Sequence, residues 1–481
     1  MKKVALGGGV GILDSGICHA NGCVMLCVVT DLSDTRWLTY ILEEFSRINL
    51  VQFTIRVIDI HQIQEDLENT IYYVRDFKTG VCVQNRSNIA PNGRVQWLSD
   101  KLFTIEDTPS NDSRWACKYD IFWNAFVFLS RLEEYQIALA GKKIQSYSFQ
   151  HPREDKTTFD VPVVNHLFDE LEKIISINFP KLSFGQEQNP IIEYSHDVDY
   201  IEKTLQLRLK QTAFNFFKTY KSALSRILLT EQVKRTVKFF FSNPSYWQFD
   251  YWENIETEAH IRSVFYVYAK TGKQNPKAWL LDPSYDIAKN RVLQSRLKSL
   301  IRKGFEVGLH GSYYSAIDGK LLSKEKAVLE ESIGAELQKT RQHWLRYDEK
   351  ITPYIHNELF KYDATLGWND CMGFRSGIAG RYRPYDHKNK GPFDYMITPQ
   401  LIMDSHIYDY GADHVKCLEE KALRILEGLR QFKTPHISIS WHQRVCSKDY
   451  GWHGLYEQIL SREGRKTRQN DHIPNGKSEY I

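Results

Sequence analysis

A chain of 481 residues is too long for one ordinary core and points to two or three domains. Apolar residues make up 42% and charged residues 25%, which excludes a wholly disordered protein. A net charge of +4 is too small to argue for nucleic acid, and an aromatic share of 13% is compatible with a sugar-lined cleft without requiring one.

The eight cysteines, Cys18, Cys23, Cys27, Cys82, Cys117, Cys371, Cys417 and Cys446, show no disulfide spacing, so free thiols in a reducing compartment are expected. Cys18-His19, Cys23 and Cys27 have zinc-ligand chemistry, but no matching second pair follows. The opening MKKVALGGGVGIL faintly imitates a signal peptide, but its apolar run is short, glycine-rich and broken by Asp14. Residues 23–30 are too short to span a bilayer. A cytoplasmic location is expected, and the first 30 residues are the least interpretable.

Residues 36–60 read as a helix, WLTYILEEFSRI, running into an alternating strand, VQFTIRVIDI. Residues 70–105 give short strand patterns punctuated by Asn-Gly and, just beyond, Asp-Thr-Pro. DIFWNAFVFLSRLEEYQ, residues 120–136, has the period of an amphipathic helix, closed by Arg131, Glu133 and Glu134, which read as a solvated end. A further helix is expected near 161–177, and this α+β region ends by about residue 190.

The stretch IIEYSHDVDY, residues 191–200, is an apolar run that stops in His196-Asp197-Val198-Asp199. Strand alternation turns Asp197 and Asp199 to the same side. Two carboxylates held side by side persist when a cation lies between them or when one acts as a base; taken alone, the stretch reads rather as two solvated acids at a strand end. Residues 203–241 are helical in pattern and strongly basic, with Lys203, Arg208, Lys210, Lys218, Lys221, Arg226, Lys234, Arg235 and Lys238 beside an apolar side that includes Phe214, Phe216, Phe217 and Phe239. Such a pair of helices is usually a solvated face; contact with an anionic membrane surface or glycan is the functional alternative.

Strands and helices then alternate: strand 263–269, helix 291–305 with Gly304, strand 305–310, helix 322–339, RQHWLRY at 341–347, helix 352–361, residues 395–406, helix 415–431 and strand 436–442. Repetition of this kind over some 250 residues predicts an α/β fold built as a parallel barrel. Polar residues recur where its strands end: Asp197 and Asp199, His310, Arg341 to His343, and His442. A carboxylate and imidazoles meeting at a barrel mouth suit a divalent metal with an open position. A second carboxylate as base and a histidine as acid would complete the apparatus for amide or ester hydrolysis.

From Pro190 to about Cys446 the sequence resembles the NodB-homology polysaccharide deacetylases, carbohydrate esterase family 4. The resemblance implies a distorted, incomplete (β/α) barrel at residues 191–446, with a basic helical insertion at 203–241. Before it lies a smaller α+β domain at 1–190, similar to one fused to such deacetylases in Bacteroidetes-type bacteria; a polar tail at 447–481 follows. It implies Asp197 as base with Arg341 orienting it, Asp199 and His310 as ligands of a divalent metal, zinc by preference, and His442 as general acid. Asp404 is the preferred partner of His442, with Asp363 the alternative. Arg375, in a glycine-flanked loop, and Trp344 are the candidate substrate contacts.

The sequence departs from the family in two places. Tyr314 stands where the second histidine of the second motif is expected, and a phenol with a pKa of about 10 is a poor zinc ligand at neutral pH. His343 stands where the third motif has proline, and is expected to supply the missing imidazole. The implied reaction is metal-dependent removal of an N-acetyl group from a glycan or glycan precursor. The alternative is a catalytically inactive module that binds glycan or scaffolds polysaccharide assembly.

Overall fold

The structure, a computed structural model, describes residues 12–13, 24–63, 67–85, 87, 96–99, 102–104, 113–117, 119–212, 226–271, 276–412 and 414–470. Cys18, His19 and Cys23, and the Asn-Gly and Asp-Thr-Pro turns, lie outside the described residues.

The chain forms two compact units. The first joins residues 1–192 to 347–401 and 424–437; the second joins 193–346 to 402–423 and 438–481. The N-terminal unit is therefore not confined to 1–190. Leu366, Ile378, Tyr382, Phe393 and Tyr395 share one apolar core with Leu42, Phe45 and Phe126, which draws residues 347–401 into it. Apolar periodicity marks which face of an element is buried, not which distant element covers it.

In the first unit, β1 (Ile12–Leu13), β2 (Met25–Thr30), β3 (Thr54–Asp59), β4 (Thr70–Val74) and β5 (Val81–Gln84) make a sheet in the order β1-β3-β2-β4-β5. β2 to β5 run parallel, and β1 pairs antiparallel to β3. Helix Arg36–Ile48 connects β2 to β3 and buries Leu38, Ile41, Leu42, Phe45 and Ile48, the spacing of one helical face. β6 (Gln96–Ser99) and β7 (Leu102–Thr104) form a hairpin.

Residues 120–136 are two helices, Ile121–Leu129 and Leu132–Leu139, with Arg131 between them at φ 54°. The first is buried on nearly every side, so it is a core helix and not an amphipathic one. Its charged end is buried too, and the solvated reading fails. Arg131 Nε donates to Glu349 Oε1 at 2.7 Å, and its Nη2 pairs with Glu134. Arg153 Nε donates to Glu133 Oε2 at 2.9 Å. Arg375 donates to both Glu134 oxygens, at 3.2 and 2.8 Å, and to Ser146 Oγ at 2.7 Å. Arg375 is thus a buried ion-pair residue of the first unit. A charge withdrawn from water needs such partners, and flanking glycines say nothing about them.

In the second unit, β8 (Ile191–Val198), β9 (Val264–Val267), β10 (Glu306–Gly311) and β11 (Lys339–Gln342) are successive parallel neighbours. Helix Arg291–Arg302 links β9 to β10, and helix Gly319–Ile333 links β10 to β11. The latter stops earlier than its periodicity suggested, because Gly334 takes the left-handed conformation at φ 69°. Strands β12 (Tyr362–Asp363), β13 (Tyr385–Asp386), β14 (Gly391–Pro392) and β15 (Met396–Ile397) lie within residues 347–401 of the first unit, and β16 (Gln400–Met403) and β17 (His436–Ser440) follow. The main sheet has eight strands in the order β15-β12-β11-β10-β9-β8-β17-β16, an open and mostly parallel α/β arrangement. Residues 395–406, read as one stretch, divide into β15, β16 and the short helix Asp404–Tyr408.

The basic insertion contains helices at residues 205–212 and Arg226–Phe241; Phe214, Phe216, Phe217, Lys218 and Lys221 lie outside the described residues. Three of its cations turn inward. Lys203 Nζ lies 2.6 Å from Asp449 Oδ2, Arg208 Nη1 donates to Ser242 O at 2.7 Å, and Lys210 Nζ donates to Asp282 O at 3.0 Å. The span 447–481 is not simply a polar tail: helix Gly454–Asn470 buries Leu455, Tyr456, Ile459 and Leu460. Among the described residues, no helix is long and apolar enough to cross a membrane.

Candidate active site

The site is built at the end of β8. Alternation sends Ser195, Asp197 and Asp199 to one side and His196 to the other. On the first side lies Arg341, whose neighbour across the β10–β11 register is His310. Arg341 is fully buried; its Nη1 donates to Asp197 Oδ1 at 2.7 Å and Ser195 Oγ at 2.9 Å, and its Nη2 to Ser438 Oγ at 2.8 Å. Its guanidinium lies 4.3 Å from the centre of the Tyr266 ring. A side chain on Gly308 would meet that ring at 2.6 Å, so glycine there lets Tyr266 lie flat against the sheet. Burial opposes the charge on Asp197, but Arg341 and then His310 and His442 outweigh it and hold the carboxyl below its ordinary range.

On the opposite side His196 anchors the strand. Its Nε2 lies 2.8 Å from Glu256 Oε1 and its Nδ1 2.9 Å from Trp441 O. Ser263 Oγ donates to Glu256 Oε2 at 2.6 Å, and the Tyr456 hydroxyl donates to Oε1. This buried cluster ties β8 to helices Phe249–Glu258 and Gly454–Asn470.

Asp199, 4% exposed, is the convergence point. Its Oδ1 has His310 Nε2 at 3.3 Å and His343 Nε2 at 3.8 Å, yet it is buried and accepts no hydrogen bond. Such an oxygen costs about 1–3 kcal/mol unless something electropositive meets it. One ligand atom from each of Asp199, His310 and His343 lies within 4.8 Å of the other two. Both imidazoles are turned the right way. His310 Nδ1 is 2.9 Å from the carbonyl of Arg341, which can only accept, so Nδ1 carries the hydrogen and Nε2 keeps its lone pair. His343 Nδ1 is held likewise by Asp282 Oδ1 at 3.1 Å. These residues fit a divalent cation. Burial works to lower the His310 pKa, but Asp197 and Asp199 raise it above the usual value, so an ion binds there in competition with a proton. The same burial acts against the Asp199 charge, and His310, His442, His343 and Arg444 together hold its pKa well below the carboxylate range.

His442 stands on the other flank, with Nε2 3.4 Å from Asp199 Oδ2. Its Nδ1 is 2.8 Å from Asp404 Oδ1, and its backbone N–H donates to Asp404 Oδ2 at 2.8 Å. Burial alone would lower the His442 pKa; the Asp404 carboxylate reverses that and lifts it to about 9. Asp363 instead belongs to the first unit, where it holds His356 Nδ1 at 2.9 Å and the Thr365 N–H at 2.8 Å.

The structure therefore brings Asp197, Asp199, His310, Arg341, His343, Asp404 and His442 together and leaves Arg375 out. Trp344, at φ 61° and 39% exposed, lies beside them, its ring centre 5.7 Å from that of His343. Tyr314 is no part of the Asp-His-His group; its ring lies near the Arg346 guanidinium, 5.4 Å away. Two residues escaped the sequence reading. Asp282, 1% exposed, orients His343 and also accepts the Tyr313 N–H at 2.7 Å; between Leu281 and Pro283 it looks only like the end of a helix. Arg444 Nη1 donates to Asp199 Oδ2 at 2.9 Å, and nothing local to QRVC signals that.

No family model matches the chain, and no curated protein matches it. Solved structures similar to it include a protein from Mycobacterium smegmatis assigned as a polysaccharide deacetylase, 12% identical, covering 62% of this chain and 97% of that one with a TM-score of 0.35. A polysaccharide deacetylase from Bacillus cereus is 9% identical, covering 58% of this chain and 89% of that one, with a TM-score of 0.28. A family CE4 pseudoenzyme from Bacillus anthracis is also 9% identical, covering 60% of this chain and 63% of that one, with a TM-score of 0.27.

Proposed function

We propose that the chain is a metal-dependent hydrolase that removes N-acetyl groups from a sugar of a glycan or glycan precursor, with zinc as its ion. One observation carries this reading: a buried carboxylate oxygen without a hydrogen bond, faced by two oriented imidazole nitrogens. Two nitrogens and one oxygen are a common zinc donor set that leaves a position open. An ion held by Asp199, His310 and His343 would polarise an acyl carbonyl and acidify a water molecule.

The chain's own groups supply the remaining steps. Asp197, kept ionised by Arg341, takes the proton from the attacking water. Arg341 cannot swing away, because Ser195 and Ser438 hold the rest of its guanidinium. His442, kept protonated by Asp404, donates from Nε2 to the departing amine nitrogen. The exposed Trp344 ring offers an apolar face to a sugar.

The test is to measure bound metal and hydrolysis of a chromogenic N-acetylated sugar, for the native chain and for Asp197→Asn. The expected result is stoichiometric zinc in both, with turnover reduced roughly 10²–10⁴-fold in the variant. Absence of zinc, or unchanged turnover in Asp197→Asn, would sink the reading. A second reading, an inactive glycan-binding module, is favoured by one contact: Arg444 engages Asp199 Oδ2 and reduces its pull on a cation. Glycan binding without metal would support it.

A further inference from the structure

Large apolar side chains are exposed on three neighbouring pieces of the second unit. Leu205 and Leu209 are 64% and 50% exposed, one helical turn apart on residues 205–212. Val237 and Phe241, 51% and 77% exposed, repeat that spacing on helix Arg226–Phe241. Trp279 and Leu280, 45% and 56% exposed, sit side by side on helix Pro276–Leu281.

Hydrogen bonds hold these pieces against one another. Arg208 Nη1 donates to Ser242 O at 2.7 Å and also to Phe240 O, which fixes residues 205–212 against the end of helix Arg226–Phe241. Gln206 Nε2 donates to Trp279 O, and Lys210 Nζ donates to Asp282 O at 3.0 Å, which fixes the same residues against helix Pro276–Leu281. Gln206, Leu207 and Lys210 thus fill the inner side of the helix, which leaves Leu205 and Leu209 on its outer side. The surface runs up to the candidate active site, because Trp344 Nε1 donates to Leu281 O at 3.4 Å.

We propose that this face docks on an anionic lipid bilayer surface. Exposed apolar residues in such number on adjoining helices are costly in water unless they meet a matching surface. Lys238 and Lys277 are exposed beside Val237 and Leu280, the position from which lysine reaches phosphate headgroups while leucine, phenylalanine and tryptophan enter the acyl boundary. Charge decides between occupants: a second copy of this face would bring its own lysines against these, whereas an anionic bilayer complements them. No helix of the described residues is suited to cross the bilayer, so the contact is peripheral. Docking of this kind presents the active-site rim, through Trp344, to a substrate carried at the lipid surface. The docking itself stands whether or not the site is catalytic.

The test is flotation of the full chain with vesicles of phosphatidylcholine alone and of phosphatidylcholine mixed with phosphatidylglycerol, at low and high salt. The chain is expected to float with the anionic vesicles at low salt and to stay behind with the neutral ones. The double variant Lys238→Glu with Lys277→Glu is expected to bind more weakly, by roughly five-fold or more for each lysine lost. Leu209→Asp with Phe241→Asp, both at exposed positions, is expected to abolish flotation with an unchanged melting temperature. Failure of the native chain to float at low salt overturns the proposal without any variant. So does binding that neither pair of substitutions weakens, or a native dimer that Phe241→Asp splits and that ignores vesicles.

Discussion

Replacing His343 with alanine removes one of the three converging side chains, Asp199, His310 and His343, and isolates its contribution to the proposed metal binding. Zinc sites with four protein ligands bind with an apparent 10–16 kcal/mol, about 3 kcal/mol per ligand, so the variant is expected to lose roughly 150-fold in affinity. The fold should lose far less. Asp282 keeps the Tyr313 N–H at 2.7 Å, so the loss is the His343–Asp282 hydrogen bond, worth about 1 kcal/mol, and the packing of the imidazole on His310 and Trp344. The two losses are separable. Calorimetric titration of zinc into chelator-treated protein reads the first, and urea unfolding of the metal-free protein reads the second. Zinc affinity within threefold of the native value would refute the assignment of His343 as a ligand. Combining His343→Ala with Tyr314→His then asks whether the histidine spacing of the resembled family restores binding; no recovery is expected, because Tyr314 lies outside the Asp-His-His group.

Asp282→Asn keeps the shape of the His343 partner but removes its charge, and is expected to weaken zinc binding roughly 10–100-fold by the same titration. The pH profile of turnover tests the acid. His442 is protonated below its pKa of about 9, so activity should fall as pH rises through that value. In Asp404→Asn the burial that lowers this pKa is left less opposed, so the falling limb should move to lower pH; an unmoved limb would separate His442 from the reaction. Glu256→Ala strands His196 in the interior and is expected to cost about 3–5 kcal/mol in urea unfolding, with metal affinity of the folded fraction preserved. Arg375→Ala is expected to destabilise the first unit by a similar amount while kcat/KM of folded protein stays within about twofold; a selective rise in KM would restore Arg375 as a substrate contact.

Much of this protein was legible in the order of its residues. Helical spacing placed the helices beginning at Arg36, Arg291 and Val415, and strand alternation turned Asp197 and Asp199 to one side. The recurrence of Asp, His and Arg at the ends of β8, β10, β11 and β17 pointed to a common centre, because in a parallel sheet every such end opens on the same edge. Local pattern could not say which distant partner each polar group would meet. Whether His442 would find Asp404 or Asp363, that Asp282 would steady His343, and that Arg444 would reach Asp199 were decided by folding, across sequence separations of 38, 61 and 245 residues. The same limit hid the fate of Arg131, Glu134 and Arg375. Arg131 and Glu134 read as a solvated end and Arg375 as a substrate contact, yet all three are buried, where only mutual pairing makes burial tolerable. Backbone periodicity is a property of neighbouring residues; charge pairing and metal-ligand geometry belong to the packed molecule, and only its tertiary contacts determine them.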